Sequence, residues 1–202
     1  SFAVQYQAEH LHELGQGSFK RGDVVLANHP AAGGSHLPDI TCITPVFAPD
    51  RDEIVFFTAS RGHHADIGGI LPGSMPPISK TLFQEGAQIR SFKIVSEGVY
   101  DQKGLMHLLL TEPAKYPGCS GTRCFRDVES DLKAQIAANH KGIQLLNDLV
   151  HEWGLETVQS YMMHIRDNAE FSVRNLLRRV ADTQKSTDLH ACLLYTSPSP
   201  RD

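Results

Sequence analysis

No apolar run in this chain approaches the roughly 18–20 residues that a membrane-crossing helix needs, and no signal peptide opens it. A surplus of basic residues is missing too: 19 Lys and Arg against 23 Asp and Glu leave a net charge of −4 and a pI near 6.2. That balance argues against nucleic acid or an anionic membrane as the main partner. Paired cysteines are absent. Cys42, Cys119, Cys124 and Cys192 form no C-x-x-C motif, so a reduced cytosolic compartment is expected in place of a disulfide framework. Nor is there a glycine-rich phosphate loop of the G-x-x-x-x-G-K-[ST] type. What remains, 41% hydrophobic and 21% charged over 202 residues, is the composition of one globular domain with or without an appendage.

The residues that carry chemistry gather between Asn28 and Gly69. This segment opens with Asn28-His29-Pro30-Ala31-Ala32-Gly33-Gly34-Ser35-His36-Leu37-Pro38-Asp39 and closes with Ser60-Arg61-Gly62-His63-His64-Ala65-Asp66-Ile67-Gly68-Gly69. Between them, the apolar and β-branched run 40–58 is interrupted by Ala48-Pro49-Asp50-Arg51-Asp52, the pattern of strand, turn, strand. A hairpin returns the chain to its start, so a turn centred near Asp50 sets position 39 against position 61 and brings His36 near His63. Two imidazole-and-carboxylate clusters are thereby predicted to share one end of one hairpin. Imidazole nitrogen with carboxylate oxygen suits a divalent ion (zinc, manganese, magnesium or iron(II)), and His36, Asp39 and His63 would supply two nitrogens and one oxygen. Three protein ligands leave positions for water or substrate, as a catalytic ion requires. His64 and Asp66 are the expected catalytic companions, orienting ligands or moving protons. The plainer alternative is a set of ordinary loop histidines beside a turn-rich segment.

Elsewhere, Val4, Ala8, Leu11 and Leu14 predict a short N-terminal helix, and Val24–Ala27 and Gln88–Val95 predict strands. Leu71-Pro72-Gly73-Ser74-Met75-Pro76-Pro77 is too rich in proline and glycine for regular structure and is either a lid or a connector. Asp101–Leu110 reads as a short helix. Gly118-Cys119-Ser120-Gly121-Thr122-Arg123 feeds a helix expected to begin between Asp127 and Asp131. A small-residue loop carrying an arginine at a helix start can hold an anion, so Ser120, Thr122 and Arg123 are candidates to grip a substrate carboxylate. A capped helix start explains the same residues without a ligand. Cys119 has no activating base near it in sequence and is not expected to act as a nucleophile. Leu132, Ile136, Ile143, Leu146 and Val150, then Leu155, Val158, Met162, Ile165, Ala169, Val173, Leu176 and Val180, predict two long helices parted at Gly154. The expected fold class is α+β: a sheet containing the hairpin and its metal-site loops, followed by a C-terminal helical hairpin. Residues 1–182 form a partial domain on this reading, and 183–202 a disordered tail. Within that tail, Cys192-Leu193-Leu194-Tyr195-Thr196-Ser197-Pro198-Ser199-Pro200-Arg201-Asp202 reads as a translated sequencing adapter.

Several of these motifs together resemble a known family. Gly22-Asp23-Val24, Asn28-His29-Pro30 and the two clusters of the hairpin occur in its order. So do Pro72-Gly73-Ser74-Met75-Pro76-Pro77, Gln84-Glu85-Gly86, Cys119-Ser120-Gly121-Thr122-Arg123 and Ala134-Gln135-Ile136-Ala137-Ala138-Asn139. Over residues 1–180 the chain is similar to the hydantoinase B half of the ATP-hydrolysing 5-oxoprolinases, eukaryotic type. The resemblance implies a cytosolic hydrolase of glutathione metabolism that opens 5-oxo-L-proline to L-glutamate with ATP. It also implies a much larger homodimeric protein, in which a hydantoinase A half binds ATP and this segment alone is inactive. In the related acetone carboxylase, a metal is held by a His, an Asp three residues on and a later His, which correspond to His36, Asp39 and His63. A hydantoinase, an acetone-carboxylase-like enzyme, or a structural module with a vestigial metal site are the competing readings.

Overall fold

The computed structural model describes residues 1–184. The adapter-like end, and all of the expected tail beyond position 184, lie outside the described residues. One compact unit spans Ser1–Leu146 and a second begins at Asn147.

The first unit is built on one antiparallel sheet. Its strands are β1 (Val24–Ala27), β2 (Asp39–Phe47), β3 (Ile54–His63), β4 (Phe92–Ser96) and β5 (Val99–Tyr100), in the order β3-β2-β1-β4-β5. β2 lies between β3 and β1 and is almost wholly buried, which suits its run of Ile, Thr, Val and Phe. Alternation along a strand then sorts its residues between two faces. Ile40 and Cys42 join Val24, Leu26 and Ile94 in the core, where they meet Leu105 of helix α2 (Gln102–Met106) and Val128 and Leu132 of α3 (Phe125–Trp153). Each such aliphatic side chain contributes roughly 1.5–3 kcal/mol when fully buried. Asp39 and Thr41 lie on the alternate positions.

The hairpin register differs by two residues from the expected one. Asp39 pairs with His63, and Thr41 with Arg61. The turn is wider than a turn centred on Asp50: Ala48 N–H reaches Glu53 O at 2.8 Å, and a bulge interrupts the ladder at Val46/Phe47. A two-residue shift preserves the face of every side chain, so the expected cluster survives it.

Polar side chains fasten the ends of the sheet. Asn28, 1% exposed just beyond β1, donates through its amide nitrogen to Leu37 O (2.7 Å) and Ala87 O (2.9 Å), while its Oδ1 accepts from Ile89 N–H (2.7 Å). Asn28→Leu would leave two carbonyls and one N–H buried without partners, a loss of about 3 kcal/mol. The expected thermal midpoint is roughly 6–12 °C lower by circular dichroism. On α3, Gln135 donates to Ile40 O (3.1 Å) and Ser60 O (3.2 Å), and Asn139, one turn on, to Cys42 O (3.0 Å). Two amides at i and i+4 thus tie the helix across both hairpin strands.

The N-terminal helix α1 covers Phe2–His10, and the second long C-terminal helix, α4, covers Leu155–Gln184. Helix α3 begins at Phe125, earlier than expected. Gly154, with φ of 82°, separates α3 from α4 because a left-handed backbone ends a helix at little cost in glycine. The apolar stripe of α4 has the expected spacing but is not buried: Met162, Ile165 and Leu176 are all half exposed or more. Among the described residues, no helix is long and apolar enough to cross a membrane.

Candidate functional site

The mouth of the hairpin collects the residues singled out in the sequence. Cross-strand pairing places Asp39 beside His63, and Asp39 Oδ1 accepts a hydrogen bond from His63 Nδ1 at 2.7 Å. That contact orients the ring through Nδ1. His36 arrives from the loop before β2, its ring 5.4 Å centre to centre from that of His63 and inclined by 21°. Ser74 reaches His36 Nε2 at 2.7 Å, so the Pro- and Gly-rich segment 71–77 touches the cluster. His63 and Asp39 remain open to solvent, with side chains 49% and 25% exposed.

Imidazole nitrogen and carboxylate oxygen are the donor chemistry of a divalent ion. Two imidazoles bound to one tetrahedral ion at ~2.1 Å have ring centres ~5 Å apart. His36 and His63 stand at about that separation, at 5.4 Å. As the rings are oriented, His63 faces Asp39 and His36 faces Ser74. Among the described residues, no three His, Cys, Asp or Glu side chains converge tightly enough to enclose an ion without turning.

The remaining expected residues have other work. His64 is 2% exposed on the strand's opposite face, where its backbone N–H meets Pro38 O at 2.9 Å and its Nε2 meets Gln135 Oε1 at 3.0 Å. Because the Gln135 amide nitrogen is occupied by strand carbonyls, Oε1 is the acceptor and His64 carries its proton on Nε2. Burial pushes its pKa below the ordinary histidine value. A neutral, enclosed ring that joins hairpin to helix replaces the expected proton carrier.

Asp66 and Arg123 correct a second expectation. The carboxylate of Asp66 accepts from Arg123 N–H (2.8 Å), from the Arg123 guanidinium (3.0 and 3.2 Å) and from Gly68 N–H (3.0 Å). Arg123 donates further to Gly69 O at 3.1 Å. Thr122 Oγ1 donates to Asp66 O and Thr122 N–H to Leu109 O, each at 2.8 Å, while Ser120 Oγ turns to Gly121 O at 2.9 Å. The loop at the start of α3 does hold an anion, as its composition suggested. That anion is the chain's own Asp66, so the two residues expected to serve a substrate are engaged with each other. The close approach depends on Gly68: a methyl group there would lie 2.8 Å from Gly121 Cα. Cys119 is buried, its Sγ donating to Phe83 O at 3.5 Å, and burial shifts its thiol upward.

Arg61, Ser35, Thr41 and Ser74 belong to the site and were not singled out. Arg61 precedes His63 by two on the same strand face, so the hairpin's period of two already aligned them. Ser74 had no such signal, since only the folded path of segment 71–77 brings it to His36.

The chain is 50% identical over 191 residues to 5-oxoprolinase 1 of Arabidopsis thaliana, covering 92% of this chain and 14% of that protein. It is 51% identical over 170 residues to the 5-oxoprolinase of Saccharomyces cerevisiae, covering 84% of this chain and 13% of the relative. The crystal structure of the ATP-dependent caprolactamase from Pseudomonas jessenii superposes with a TM-score of 0.70 at 30% identity, over 88% of this chain and 29% of that one. The chain therefore spans only about a seventh of the length of the two 5-oxoprolinases. With the hydantoinase B/oxoprolinase model matched over residues 1–193, the chain belongs to that family.

Proposed function

We propose that this chain is part of a longer ATP-dependent hydrolase that opens 5-oxo-L-proline to L-glutamate, and that it contributes the metal-dependent hydrolytic site. The observation that carries this reading is the meeting of His36, Asp39 and His63 at the mouth of one hairpin. The names of the relatives supply the substrate class, and their greater length accommodates an ATP-binding half elsewhere. His36, Asp39 and His63 would hold the ion, which when bound would polarise water or the lactam carbonyl. Asp39 orients His63 through Nδ1 and keeps its second oxygen free of hydrogen bonds among the described residues. The 71–77 segment touches the cluster through Ser74 on His36.

An unstrained amide resists water at neutral pH, so activation of the lactam carbonyl by ATP in the other half precedes hydrolysis here. Metal analysis of the full-length enzyme, combined with assay of ATP-dependent glutamate formation, tests the proposal. Stoichiometric ion and activity lost together on chelation are expected. Full activity in ion-free enzyme overturns it. The likeness to the caprolactamase favours a second reading, another cyclic amide as substrate, and parallel assays with caprolactam and hydantoin separate the two.

A further inference from the structure

We propose that Arg61 binds the carboxylate of the cyclic-amide substrate and so sets specificity for an amino-acid-derived ring; this rests on the hydrolytic reading above. The Thr41–Arg61 pair lies next to the Asp39–His63 pair on the same hairpin face. Residues two apart on a strand project side by side, ~6.7 Å apart at the backbone. Arg61 is therefore a cation fixed one pair away from the candidate ion ligands.

Its guanidinium is positioned without being neutralised. Nε donates to Thr41 Oγ1 at 3.0 Å and Nη1 to Ser35 Oγ at 3.2 Å. Thr41 is 4% exposed, so one of these anchors is rigid, and Ser35 adjoins His36 in sequence. Hydroxyl partners orient an arginine but leave its charge uncompensated. Among the described residues, Arg61 has no carboxylate within ion-pair reach, and Nη2 has no hydrogen-bond partner. Arg123 shows the contrast, since its Nη1 meets the Asp66 carboxylate and its Nη2 the carbonyls of Gly69 and Ile70. An arginine prealigned by neutral groups beside a half-exposed histidine has the form of a carboxylate receptor.

The size of the substrate matches. In 5-oxo-L-proline the carboxylate carbon lies three bonds from the scissile carbonyl carbon, ~4 Å at standard bond lengths. A ring lying along the strand can thus present its carbonyl near His63 and its carboxylate to Arg61. A lactam without the carboxylate gains nothing from this contact.

The experiment compares Arg61→Gln and Arg61→Lys in the full-length enzyme, with 5-oxo-L-proline and with 2-pyrrolidinone, the same ring lacking the carboxylate. Loss of a charge-assisted hydrogen-bonded pair predicts a fall of roughly ten- to hundredfold in kcat/KM for glutamate formation in Arg61→Gln. Partial recovery is expected in Arg61→Lys, with metal content, melting temperature and turnover of 2-pyrrolidinone unchanged. A kcat/KM within twofold of wild type overturns the proposal. So does an equal loss toward both rings, or a loss that follows a lower melting temperature, because Arg61 would then act only by holding Ser35 and Thr41. Failure of the hydrolytic reading looks different: His36→Ala would keep metal and turnover, whatever Arg61→Gln does.

Discussion

His36→Ala, introduced into the full-length enzyme, is expected to reduce bound metal from stoichiometric to trace amounts and to abolish lactam hydrolysis. Asp39→Ala is expected to do the same by a different route, removing an oxygen donor and releasing the His63 ring that it holds at 2.7 Å. Lewis-acid stabilisation is worth several kcal/mol in the transition state, and each 1.36 kcal/mol is tenfold in rate, so activity should fall by at least about a hundredfold. Stability should barely change, because His36 is only partly buried and Asp39, its side chain 25% exposed, sits at the rim of the sheet. Metal analysis, melting temperature and glutamate formation, measured on the same preparations, separate loss of chemistry from loss of fold. Retention of both ion and turnover in either variant would remove the cluster from the mechanism.

Asp66→Ala should show the opposite profile, a large loss of stability originating outside the cluster. Its carboxylate satisfies two backbone N–H groups and one guanidinium, with the Asp66 side chain 8% exposed. Removing one partner of a buried pair is strongly destabilising because the other charge is left without compensation. The Arg123 side chain is 36% exposed and can recover some hydration, which limits the loss to about 3 kcal/mol. A drop of roughly 6–12 °C in thermal midpoint is expected. Arg123→Gln should cost less, since Asp66 keeps its bonds to the Arg123 and Gly68 backbone. If Asp66→Ala instead melts like the unsubstituted chain and loses only turnover, Asp66 is a catalytic group after all.

The two profiles follow from how the sheet and α3 divide the hairpin between them. Odd-numbered positions Asp39, Thr41, Arg61 and His63 line up on the site face, while Ile40, Cys42 and His64 turn toward the core and α3. The same alternation that builds the core therefore builds the site. That much was legible beforehand, because apolar and β-branched residues around Ala48–Asp52 admit few other local structures. The register was less legible. Turn width and a bulge at Val46/Phe47 moved the pairing by two residues, and neither leaves a clear mark in composition.

Role assignment was harder still for neighbouring residues of like type. His63 and His64 are adjacent and chemically identical, yet one is half exposed beside Asp39 and the other enclosed against Gln135. Arg61 and Arg123 present the same problem at longer range. Both accompany glycine and serine in loop-like sequence, but only Arg123 meets a carboxylate, and that carboxylate lies 57 residues away.

By itself, then, the order of residues determined the strands, the long helices and the alternating face that gathers imidazole and carboxylate at one hairpin mouth. These depend on local periodicity and turn chemistry, which act over a few residues. Only the tertiary structure decided which polar groups the chain uses to satisfy itself and which it leaves to a ligand. Burial and long-range pairing set that division, as Asp66 with Arg123 and Gln135 with His64 show. The free energy of a charged or polar side chain depends on the partner that folding brings to it, not on its neighbours in sequence.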